Sequence, residues 1–129
     1  MHYLLGNHEW RAYRAGENDP ELHGLLDPIK DLDLLGYGWN IHKFKDIINI
    51  EGINFCHFFT KGLMDKPIGA ENVAKALVDT FASSCVQGHT HKRQMWFKNK
   101  IDGTEIFGLV AGCYFEHFYG YATLRAQNE

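Results

Sequence analysis

Two histidine-bearing tetrapeptides hold the residues best suited to chemistry in this chain: Gly6-Asn7-His8-Glu9 near the start and Gly88-His89-Thr90-His91 downstream. Each stands where an apolar stretch gives way to a turn, after Tyr3-Leu4-Leu5 in the first case and Ser84-Cys85-Val86-Gln87 in the second. Asn-His and His-x-His on loops at strand ends supply oxygen and nitrogen ligands that converge without a helix. Such a donor set suits borderline ions: Mn, Fe or Zn. A further histidine, His57, ends the apolar run Ile53-Asn54-Phe55-Cys56-His57 and is a third candidate. Ions of this class bridge phosphate oxygens and lower the pKa of a bound water, and two together stabilise attacking and leaving oxygens.

The elements that must position these residues follow from periodicity and turn chemistry. Tyr3-Leu4-Leu5 reads as a short buried strand whose end, at Gly6, delivers Asn7 and His8; a helical stretch follows over residues 9–14. Residues 18–39 read as one or two short helices, with Asp19-Pro20 as a helix start. Residues 47–50 and 53–58 flank Glu51-Gly52, a two-residue break that joins antiparallel strands, and the second strand carries His57 near its end. The spacing of Val73, Ala74, Leu77, Val78 and Phe81 predicts a helix with one buried face over residues 70–82. A strand over 84–87 then leads to the turn at Gly88, which presents His89 and His91. Residues 94–98 and 105–110 form a hairpin about Ile101-Asp102-Gly103, and 118–124 read as a last strand.

A chain of 129 residues, 45% hydrophobic and 22% charged, is expected to form one globular domain with a core of its own. A formal net charge of -3 argues against nucleic acid as a bulk partner. No apolar run approaches the ~18 residues of a membrane span and no charged leader precedes a long apolar region, so a cytoplasmic protein is expected. Cys56, Cys85 and Cys113 lack C-x-x-C spacing and read as reduced core or strand cysteines.

In their order, these motifs resemble those of the calcineurin-like metallophosphoesterases, in which Asp-x-His and Gly-Asp-x-x-Asp motifs precede Gly-Asn-His-Asp/Glu, a strand ending in His, and Gly-His-x-His. The resemblance implies an α/β fold, a β-sandwich flanked by helices as part of a four-layer α/β/β/α arrangement. It also implies two divalent ions and a phosphate-ester substrate. Asn7, His57 and His89 match ligands of the second metal, His91 matches a ligand of the first, and His8 matches the histidine that bonds the phosphate and protonates the leaving group. Arg11, one helical turn beyond, is a candidate substrate-binding residue; a solvated helix face also explains Arg11 and Arg14.

The two carboxylate motifs have no counterpart here, Phe58 follows His57 where the family often has Gly, and Leu109-Val110-Ala111-Gly112-Cys113 replaces an Asn-Pro-Gly-Ser turn, keeping only the Gly. The expectation is therefore an amino-terminally truncated phosphoesterase domain with an exposed sheet edge, covered by self-association or by a partner chain that supplies the missing half. The alternative is a catalytically silent remnant, or a binding and assembly module of the same fold. Taken singly, His57 also reads as a core residue, Lys92 and Arg93 as an exposed strand entry, and the aromatic run from Tyr114 to Tyr121 as core rather than a base-stacking surface. His2, His23, His42 and His117 match no motif.

Overall fold

The computed structural model describes residues 1–112, and the chain divides into two compact units, Met1–Asp46 and Ile47–Glu129. The predicted strand over 118–124, the aromatic run and Cys113 lie outside the described residues.

In the first unit, β1 (His2–Leu4) pairs in parallel with β2 (Asn40–His42), with Leu4 opposite His42. Bonds from Asn40 N–H to the Met1 carbonyl and from Leu5 N–H to the His42 carbonyl extend the ladder at both ends. Helix α1 (Asn7–Asn18) follows at once, with Gly6 at its N-cap. The Gly6 N–H donates to Glu9 Oε2 at 3.0 Å, so the acid of the first motif closes the helix start on itself. Asn7 and His8 are thereby the first two residues of a helix rather than loop residues ahead of one.

The helix start expected at Asp19-Pro20 does not form. Isolated turns occupy residues 20–25, and Leu25 and Leu26 face solvent, so these leucines share no buried stripe that would hold a helix together. The helix in this region is α2 (Pro28–Asp31), begun by proline at its first position and by Asp27, whose carboxylate accepts from Ile29 and Lys30 N–H.

The second unit is built on a five-stranded mixed sheet in the order β3-β4-β7-β9-β8. Strands β3 (Ile48–Ile50) and β4 (Ile53–Cys56) form the expected hairpin, and both turn residues, Glu51 and Gly52, take positive φ as a two-residue turn of this hand requires. After a small hairpin of β5 (Thr60–Lys61) and β6 (Lys66–Pro67), helix α3 (Val73–Phe81) crosses to β7 (Cys85–Gln87), which pairs in parallel with β4. Strands β8 (Arg93–Asn99) and β9 (Glu105–Ala111) close the order, β9 running parallel to β7 and antiparallel to β8.

The predicted helix thus forms, trimmed to the part that Asn72 caps by accepting from Lys75 N–H. Its buried stripe is Val73, Ala74, Leu77 and Val78, of which the first three pack with Cys56, Phe59, Ile68, Cys85 and Val110. It lies so close to the sheet that a Cβ on Gly108 would land on the Ala74 carbonyl. Cys56 and Cys85 are buried, and burial pushes the Cys85 thiol up to about 11. The architecture is mixed α/β, and among the described residues no helix is long and apolar enough to cross a membrane.

Candidate metal and phosphate site

Parallel strands β4 and β7 run side by side with Cys56 opposite Gln87, so their carboxyl ends release His57 and Gly88 next to each other. The Gly88 N–H carries the pairing one step beyond the strands by donating to the His57 carbonyl at 3.2 Å. Strand β9, parallel to β7 with Val110 opposite Gln87, brings Ala111 and Gly112 to the same end. Gly112 has a φ of 76°, and a Cβ there would press on Arg93. In sheets of this kind, ligands bind beyond the carboxyl ends of parallel strands.

The loop after β7 bends sharply. Thr90 N–H donates to the Gly88 carbonyl at 2.8 Å, closing a three-residue turn about His89, whose φ is 69°; His91 takes 58°. The sharp turn was expected of Gly88, yet the histidines themselves adopt the left-handed backbone. For residues with a Cβ this costs about 1–2 kcal/mol each, and such outliers gather at functional sites. The bend brings the His89 ring edge-to-face with His57, at a centroid separation of 5.2 Å and an interplanar angle of 68°. Phe58, buried, lays its ring against His89 at 4.7 Å and meets His57 at 5.9 Å.

Two imidazoles that bind one tetrahedral ion through single nitrogens, with bonds of about 2.0–2.1 Å, hold their centroids about 5 Å apart. The centroid separation of His57 and His89 is of that size. His91 follows in the same loop, exposed. Among the described residues, no group of three or more His, Cys, Asp or Glu side chains is placed to hold an ion.

On the first unit, Asn7, His8 and Arg11 come together. Arg11 Nε donates to the Asn7 carbonyl at 3.3 Å, and one of its terminal nitrogens lies 3.3 Å from both ring nitrogens of the exposed His8. The guanidinium thus covers the imidazole of the motif, a cationic group beside a proton carrier. A cavity of about 150 Å³ in this unit is lined by Glu9, Trp10 and Tyr13 of α1. At 100° per residue these three share the helix face turned away from His8 and Arg11, so the cavity is no pocket for a group held by His8.

Two residues that sequence reasoning passed over support the pair. Gln87 is a buried polar side chain whose Oε1 accepts from Phe59 N–H at 3.0 Å, tying the segment after His57 to β7. Its signal was an amide in an apolar run, one residue before the Gly-His-Thr-His motif. Phe58 could have been found from the aromatic that replaces a small residue after His57.

Comparison of the chain with protein-family models, with curated proteins and with solved structures finds no match.

Proposed function

We propose that the protein is a metal-dependent phosphoesterase of the calcineurin-like kind, hydrolysing phosphate esters in the cytoplasm. The observation that carries this reading is the His57–His89 pair, two imidazoles at ligand spacing beyond adjacent parallel strands. His57, His89 and His91 of the second unit are ligands in this reading, and the family resemblance alone assigns Asn7 the same role. A bound divalent ion, Mn, Fe or Zn, or two as in the family, would supply Lewis acidity toward phosphate and activate water. His8 holds the phosphate and carries the proton that the leaving oxygen needs, and Arg11, beside His8, adds positive charge on the substrate side. The α/β architecture extends, in the same reading, to the four-layer sandwich.

A second reading is a silent module of the same fold that binds or assembles without hydrolysis, and its motivation is that the Asp-x-His and Gly-Asp-x-x-Asp motifs have no counterpart in the sequence. Manganese-dependent hydrolysis of an activated aryl phosphate, lost together with metal binding in His89→Ala, supports the phosphoesterase. Metal binding without hydrolysis, even when a polypeptide carrying the Asp-x-His and Gly-Asp-x-x-Asp motifs is added, supports the silent module. Hydrolysis that survives His89→Ala removes that residue from the site.

A further inference from the structure

The β5-β6 hairpin of the second unit carries apolar residues that the fold does not use. Gly62, Leu63, Met64 and Asp65 form its tip, closed by the Asp65 N–H, which donates to the Gly62 carbonyl at 3.1 Å. Leu63 is fully exposed and Met64 is 76% exposed. Turns favour Gly, Asn, Asp or Ser, and single exposed apolar residues are ordinary, but two adjacent ones at the apex of a turn gain nothing from folding. The hairpin that carries them is nevertheless fixed. The Thr60 hydroxyl donates to the Asp65 carboxylate across it, and at its root the Ile68 N–H donates to the carbonyl of Phe59 at 3.0 Å, both side chains being buried. Behind the tip, Lys61 stands directly opposite Lys66. Directly paired residues share a face, so two ammonium groups lie on one side of the hairpin, a repulsive arrangement that an anion relieves. Both lysines are exposed, and neither is in an ion pair among the described residues.

We propose that this tip docks the protein on an anionic lipid surface, Leu63 and Met64 entering the apolar boundary while Lys61 and Lys66 meet lipid phosphates. The spacing fits. Lys61 is two residues from Leu63 and Lys66 two from Met64, a reach of about 7 Å, and interfacial segments seat their apolar face about 5–10 Å into the boundary between headgroups and acyl chains. An apolar pair alone would suit a protein groove as well; the paired lysines behind it select a layer of phosphates at that height. Two lysines against Asp65 leave residues 60–67 with one net positive charge, so the attachment is weak, reversible and sensitive to salt. It is also one-ended. Strand β5 begins three residues beyond His57, at the carboxyl end of β4, whereas the other exposed apolar tip, Ile101, precedes β9 and so belongs to the opposite end of the sheet.

The test is partition of the full chain into vesicles of phosphatidylserine and phosphatidylcholine in equal parts, read by flotation at millimolar lipid, with pure phosphatidylcholine vesicles alongside. Binding to the anionic vesicles that falls with added salt is expected. Leu63→Ser combined with Met64→Ser lowers the partition coefficient at least about tenfold, the loss of two buried apolar side chains. Lys61→Gln and Lys66→Gln each lower it about fivefold. Leu63→Trp, which keeps an apolar apex, binds as the parent does, and brominated lipid quenches its added emission. Ile101→Ser and His89→Ala leave partition unchanged, so failure of the phosphoesterase reading does not touch this one. No partition at millimolar lipid, equal partition into neutral vesicles, or undiminished partition of the serine variant overturns the proposal. A loss in Ile101→Ser instead overturns it equally.

Discussion

Replacing Phe58 with leucine separates the two things this side chain does. It fills the interior, at 7% exposure, and it supports His89 by laying its ring against the imidazole at 4.7 Å. Leucine keeps most of the volume, so the folding cost is that of an imperfect fit, about 1.5 kcal/mol or less. What leucine cannot replace is the ring-on-ring contact, worth about 0.5–1.5 kcal/mol beyond buried area, or about two- to tenfold in an equilibrium constant. In the apo protein that contact helps hold His89 in its left-handed turn, where His57 and His89 already have ligand spacing. Once it is gone, the ordering of His89 is charged to the binding step. The expected result is a zinc or manganese dissociation constant raised about two- to tenfold, with the number of ions bound unchanged. Isothermal titration reads the affinity, and thermal unfolding of the apo protein reads the folding term. His89→Gly is the companion variant: it relieves the left-handed backbone but gives up the ring contacts, so the apo melting temperature changes little while binding through this residue is removed. If Phe58→Leu melts lower but binds metal as the parent does, Phe58 is core alone and the reasoning about His89 is wrong.

Two further outcomes follow from the packing of α3. Gly108→Ala drives a methyl into the Ala74 carbonyl and against Val78, so α3 has to lift from β9, at a cost of about 1–3 kcal/mol in urea unfolding; a cost near zero would mean that the helix is not seated on this strand. Asp79 accepts from Lys75 and Lys98, each at 2.6 Å, and these bonds, Lys75 first, hold its carboxyl down to about 2. A lowered folded value gives stability that is present above the unfolded value of about 4 and lost as pH falls through about 2. Asp79→Asn should therefore flatten the acid limb of the urea midpoint between those values, and an unchanged slope would assign the loss to other carboxylates.

What the sequence made legible was what repeats or what turns. The stripe from Val73 to Phe81, the turn at Glu51-Gly52 and the hairpin around Gly103 each bind many residues to one pattern, and each forms. Strand β2 and the β5-β6 hairpin went unseen because Asn40-Ile41-His42, Thr60-Lys61 and Lys66-Pro67 carry no apolar run, unlike the equally short β1, β3 and β7. Pro20 misled because a proline suits the first turn of a helix only if an apolar face follows, and Leu25 and Leu26 are exposed; Pro28, with Asp27 before it, meets the condition through a cap instead. At the site, the type and order of His57 and His89 were legible. Their spacing was not, since it depends on a β4-β7 register and a left-handed turn that no local signal announces. Gln87 and Phe58 escaped because their roles are bonds and stacking across that register.

That register also orders events in time. The β3-β4 and β8-β9 pairs are local hairpins, whereas β4 and β7 meet only after a loop of about thirty residues, α3 included, has closed, an entropic cost that local pairs do not bear. His57 and His89 lie across this late seam. Partly folded chains that already own both hairpins and the helix therefore have no histidine pair, and an ion captured there selects molecules in which the long-range closure is complete. Ligation would then act as a proofreading step for the fold, withdrawing finished chains from the equilibrium and leaving unfinished ones to proteolysis.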